Sequence, residues 1–128
     1  MIMARIVIPC LLILALGYLG LRFPLYSMTA GQNLEMRNGV RYVKGEEKPF
    51  TGMAFYFYKE GSNSQESPYI KGKLNGTEVN YYESGSIHGE TPYVDGKKHG
   101  TQIWYFEDGS KKEEFVYDNG KQISRKKF

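Results

Sequence analysis

Hydrophobic and polar positions follow two different rules along this chain. From Ile6 to Leu21 every position is uncharged, and most are leucine or isoleucine, with Arg5 before the run and Arg22 after it. Such a run predicts a helix and reads as an export signal. At 1.5 Å per residue its 16 residues reach about 24 Å, short of a hydrocarbon core of about 30 Å unless Phe23 to Tyr26 extend it while Arg22 snorkels. Two outcomes stay open, a cleaved signal peptide or an uncleaved signal-anchor helix over residues 1–30. The small-residue motif of a cleavage site fits Met28-Thr29-Ala30 only with a bulky methionine at the outer position, which favours the anchor. Arg5 and Arg22 flank both ends, so the positive-inside count sets no strong orientation; the carboxyl domain is expected outside the cytoplasm, at the cell envelope.

After residue 30 the apolar positions fall into short runs of β-branched and aromatic residues, Thr77 to Tyr82 and Thr101 to Phe106 among them. Glu83-Ser84-Gly85, Asp95-Gly96, Glu107-Asp108-Gly109 and Asn119-Gly120 punctuate the runs, and glycine supplies the positive φ that hairpin turns need. The punctuation is periodic. Gly52, Gly76 and Gly100 stand 24 apart, as do Gly61, Gly85 and Gly109, and Gly72, Gly96 and Gly120. Columns of Tyr69, Tyr93 and Tyr117, of Glu66, Glu90 and Glu114, and of Lys73, Lys97 and Lys121 keep the same spacing, with the aromatic pairs Phe57-Tyr58, Tyr81-Tyr82 and Tyr105-Phe106. A period of this length marks a repeat architecture. The units predict an all-β, single-layer antiparallel meander: residues 31–51 as a shortened capping repeat, then three 24-residue repeats and a short basic tail over 52–128. The register is read as stopping where Ser124 replaces the next glycine. Pro68 and Pro92 remove ladder donors and predict a strand start or bulge, with short second strands.

Composition then narrows the function. All 14 acidic residues and 15 of the 17 basic ones follow residue 30, leaving that part near +1, with no basic cluster of the kind nucleic acid requires. The single cysteine, Cys10, lies in the apolar run, so neither an internal disulfide nor a thiolate metal site is expected beyond it. No cofactor is implied.

The candidates for chemistry are few. His88 and His99 occupy different repeat positions and read as surface residues without metal-ligand spacing. The glutamate column is read as structural, because glycoside chemistry needs one asymmetric carboxylate pair. No enzyme is expected. The lysine column reads as solvated heads with stems packed over a neighbouring tyrosine, or as a row facing anionic lipid headgroups. The tyrosine column reads as a packing ladder. Trp104 stands where the other units hold Tyr56 and Asn80, and an unrepeated large aromatic is the natural contact anchor. The nominated binding set is therefore Trp104, Tyr56, Tyr82, Phe106, Lys97 and Lys121.

Tyr93-Val94-Asp95-Gly96-Lys97-Lys98-His99-Gly100, running into Trp104-Tyr105-Phe106-Glu107-Asp108-Gly109, resembles the MORN repeat, whose pattern is Y-x-x-G-K-x-x-G followed by an aromatic strand and a D-G turn. The 24-residue spacing and Pro49-Phe50-Thr51-Gly52 resemble the bacterial, antitoxin-like variant. The resemblance covers Asn38 to about Ser124 and departs from the family at Pro68, Pro92 and Gly61-Ser62-Asn63-Ser64. It implies an elongated antiparallel sheet used for protein or membrane contacts. The expected function is a non-enzymatic interaction module with an unidentified protein partner, antitoxin or immunity-like neutralisation being one form. The alternative is a module binding anionic membrane surfaces. Oligomeric state is left open.

Overall fold

The computed structural model describes residues 27–128. The expected leader helix falls on residues outside the described ones, and no described helix is long and apolar enough to cross a membrane. The strands are β1 Ser27–Ala30, β2 Leu34–Arg37, β3 Val40–Val43, β4 Gly52–Phe57, β5 Asn63–Ile70, β6 Lys73–Leu74, β7 Gly76–Tyr81, β8 Ile87–Val94, β9 Lys97–Lys98, β10 Gly100–Tyr105, β11 Lys111–Asp118 and β12 Lys121–Lys127. The main sheet runs β1-β4-β5-β7-β8-β10-β11-β12, with β6 beside β5 and β9 beside β8. β2 and β3 form a separate hairpin. The fold is all-β and mostly antiparallel, as the alternating runs and glycine turns predict.

Turn chemistry explains the connections. Asn38-Gly39, Lys71-Gly72, Asp95-Gly96 and Asn119-Gly120 each place two consecutive residues at positive φ, near 49° and then between 76° and 89°. This is the type I′ geometry whose twist matches the flanking strands. The alternate turns close differently: the Gly85 amide donates to the Tyr82 carbonyl and the Tyr82 amide to that of Ser86, with Gly85 at φ 88°. Gly96 lies at φ 80°. A β-branched side chain is strained there, so Gly96→Val should lower stability by about 1–2 kcal/mol, read as a fall in melting temperature. An unchanged melting temperature would contradict the turn geometry.

Two expectations need correction. Ser27–Ala30, assigned above to the end of the leader, is a strand, and it runs parallel to β4, pairing Ser27 with Gly52 through Ala30 with Phe55. Residues 31–51 are long enough to carry the chain back for a parallel pair, which a tight hairpin cannot do. The prolines, in turn, do not shorten the second strands. β5 and β8 each have eight residues, with Pro68 and Pro92 inside them. In a strand a residue's N–H and C=O point to the same side. The Pro68 carbonyl accepts from the Asn75 amide at 3.0 Å, and that of Pro92 from the His99 amide at 3.0 Å. Each missing donor therefore faces the break between β6 and β7, or between β9 and β10, where the ladder is already interrupted.

The apolar core sits at the amino end. Leu34, Phe50, Ala54 and Tyr69 are buried, with Val43, Tyr56 and Leu74 packed against them, so the β2–β3 hairpin covers that end of one sheet face. It is tied down by backbone bonds from the Arg41 amide to the Gly72 carbonyl (2.8 Å) and from the Gly72 amide to the Phe50 carbonyl (2.7 Å). The second bond recurs along the sheet, from Gly96 to Leu74 (2.7 Å) and from Gly120 to Lys98 (2.8 Å).

Candidate binding surface

Direct cross-strand pairs share a face, so the registers sort the side chains. One face carries Ala54, Ser67, Tyr69, Thr91 and Gln102, all buried. Three of these are polar, and they are satisfied by one another or by neighbours: Ser67 Oγ donates to Glu78 Oε2 (2.9 Å), and Gln102 Nε2 donates to Thr91 Oγ1 (3.0 Å). Buried polar groups of this kind are tolerated only when bonded. This is the packed face.

The opposite face is open. One row across it reads Phe55, Glu66, Val79, Glu90, Ile103 and Glu114, strand by strand. All six side chains are half-buried, and among the described residues no second layer lies over them. Two of the glutamates are held by neighbours: Tyr105 Oη donates to Glu90 Oε2 at 2.7 Å, and Asn63 Nδ2 donates to Glu66 Oε1 at 2.7 Å. The bond to Glu90, with burial, pushes the Tyr105 phenol up to about 12. Burial, followed by the Glu66 charge, raises Tyr81.

The six nominated residues do not converge. Trp104 and Tyr56 belong to the packed face. The indole of Trp104 lies over Gly89, where an added Cβ would stand 2.5 Å from its ring, and against His88 at a centroid distance of 4.9 Å. His88 stacks in turn on Tyr82 at 4.4 Å. His88 is the extra residue of a bulge, skipped between the pairs Asn80–Gly89 and Tyr81–Ile87, which aims its ring between the two aromatics. Tyr56 lies over Gly31 and against the core. The Tyr82 hydroxyl donates to the Tyr105 carbonyl at 2.8 Å, as Tyr58 does to Tyr81 at 2.6 Å. Phe106 fills the third place of that column. It is exposed at a turn, with Lys112 Nζ 5.5 Å from its ring.

Lys97 and Lys121 lie on the far edge, among the other row of turns. Their column packs over glycines rather than tyrosines: Lys73 Cβ is 3.7 Å from where a Gly96 Cβ would be, and Lys97 Cβ 3.9 Å from the same point on Gly120. That edge carries Lys71, Lys73, Lys97, Lys98 and Lys121 against Asp95 and Asp118. The opposite turns carry Glu60, Glu83, Glu107 and Asp108 against Lys59. The acidic turns are offset at the same end by Lys111, Lys112, Lys126 and Lys127 of the last two strands, so only the Lys97 and Lys121 edge carries a clear excess of one sign. His99 Nδ1 accepts from the Asn119 amide at 3.2 Å, a turn-bracing role. Among the described residues no group of three or more histidine, cysteine, aspartate or glutamate side chains could hold a metal ion.

The open-face row is what sequence reading missed. Its signal was present as the glutamate column, but only the register shows that Phe55, Val79 and Ile103 interleave with it. No protein-family model, curated protein or solved structure matches this chain.

Proposed function

We propose that this chain is a non-enzymatic ladder of MORN-like repeats, held at the cell envelope by its apolar amino-terminal segment, that binds a protein partner through its open sheet face. One observation carries the reading. Among the described residues the sheet is one layer thick, and Phe55, Val79 and Ile103 stand half-buried in line on its open face, which also carries the exposed Phe57 and Ile87. A row of apolar side chains interleaved with carboxylates on an open sheet face fits an interaction surface that pairs apolar contacts with charge. Neutralisation of a partner toxin is one form such binding takes. The test is an envelope-fraction pull-down with full-length protein and an Ile103→Asp variant, read by mass spectrometry. A protein retained by the parent and lost from the variant supports the reading; equal retention sinks it.

A second reading, binding to an anionic membrane surface, is favoured by one observation. Ser27, the first described residue, pairs with Gly52 at the same edge as the lysine-rich turns. A membrane anchored there would meet that edge. Reversing Lys73, Lys97 and Lys121 to glutamate would then reduce salt-sensitive association with phosphatidylserine vesicles, since juxtamembrane lysines each contribute about 1 kcal/mol near such a surface.

A further inference from the structure

The glutamates of the open face are not equivalent, and the difference says what they lack. Glu114 receives Lys111 Nζ at 2.5 Å. Positions 24 and 48 residues earlier hold Ile87 and Asn63. Asn63 gives Glu66 a neutral amide donor at 2.7 Å, and Ile87 gives Glu90 nothing. The last unit thus shows a lysine head seated on this carboxylate, while in the first two the same carboxylate is half-buried and has no cation paired with it among the described residues.

Geometry limits what could supply the missing cations. Glu66, Val79 and Glu90 are directly paired on successive strands, as are Glu90 and Ile103. With strands about 4.8 Å apart, the two carboxylates recur about every 9.6 Å, with one apolar residue halfway. An extended segment laid across the strands would leave its backbone groups unpaired on an apolar surface. A helix satisfies its own backbone groups except at its two ends. Residues seven apart on a helix are separated by about 10.5 Å, and those three or four apart fall between them on the same face.

We infer that the partner presents a cationic amphipathic helix laid across the strands, with lysine or arginine side chains seven apart seated on Glu66 and Glu90 and apolar ones between them on Val79 and Ile103. This rests on the reading of the open face as the partner site. The Asn63 bond to Glu66 and the Tyr105 bond to Glu90 hold both carboxylates in place for such a contact.

The test uses full-length protein in detergent and a fluorescently labelled synthetic helical peptide, with lysines seven apart and leucines three or four residues after each. A scrambled peptide of equal composition is the control. Anisotropy titration should show the amphipathic peptide binding at least about tenfold tighter than the scramble. Ile87→Lys, which places beside Glu90 the lysine that Glu114 already has, should weaken binding about tenfold. The pair Glu66→Gln and Glu90→Gln, which keeps oxygen acceptors for Asn63 and Tyr105, should do the same and remove the salt dependence. Equal binding of both peptides, or no effect of Ile87→Lys on a folded protein, overturns the inference. The pull-down separates the two levels: a partner lost with Ile103→Asp but kept by the double glutamine variant leaves the open face standing and removes the helix.

Discussion

Gly89→Gln is expected to destabilise the sheet by about 3 kcal/mol, the upper part of the range for overpacking a close-packed site. Gly89 does not lie at positive φ, so no backbone strain enters, and the whole effect is the collision of a new side chain with Trp104, 2.5 Å from where its Cβ would stand. The neighbouring unit shows the remedy. There the same cross-strand pair is Gln65 opposite Asn80, a medium side chain against a medium one, where this unit sets the smallest against the largest. Trp104→Asn alone should cost about 2 kcal/mol, less than a fully buried tryptophan, because the indole is half-buried. The double variant Gly89→Gln with Trp104→Asn should recover most of the loss. Melting temperatures of the four proteins in a double-mutant cycle measure the coupling. Additive losses would mean that the glycine and the tryptophan are not a packing pair.

That pair also shows where sequence reading reached and where it stopped. The turn glycines were legible one by one, because positive φ is a local property and Gly96 and Gly120 take it as expected. The tyrosine column was legible as packing, and Tyr69 is buried at 5% exposure. Gly89 carried no such signal. It stands outside the three glycine series, and its reason is a side chain 15 residues away that only the register brings opposite. Trp104, read alone, looked like a contact anchor, and its partner glycine turns it toward the packed face.

The departures from periodicity have the same character. Pro68 packs on Gly76 and Pro92 on Gly100, at 3.1 and 3.2 Å from an added Cβ. In the last unit Val116 replaces the proline and Ser124 the glycine, and these two are directly paired in a strand, β12, that runs without the break found before β7 and β10. Read singly, each was an irregularity in a column. Together they are one change, which restores an amide donor and turns the break into a bulge, with Ile123 extra between the pairs Val116–Ser124 and Tyr117–Gln122.

Alkaline pH should dismantle this sheet. Burial and the nearby Tyr56 raise the Tyr69 phenol; burial also leads for Tyr81 and Tyr93, and for Tyr105 the Glu90 bond leads and brings it to about 12. A phenol is charged when it loses its proton. Between pH 10 and the folded-state value, the unfolded chain has released protons that the folded chain keeps, so stability falls as pH rises. The contribution of these groups is complete below about pH 10 and, for Tyr105, is lost by about pH 12. While each window lasts, one retained proton steepens the fall by about 1.4 kcal/mol per pH unit. Solvent screening narrows the window for Tyr81, Tyr93 and Tyr105, which are partly exposed, and leaves Tyr69 the widest. The melting temperature should therefore stay level up to about pH 10 and then drop steeply, with phenolate absorbance from these four appearing only as the sheet's circular dichroism is lost. Tyr105→Phe should start from a lower baseline but descend less steeply, since one retained proton is gone. If all the tyrosines ionise together near pH 10 while the dichroism holds, the glutamate column does not brace the open face, and the carboxylates that would receive a partner's cations are not held in place.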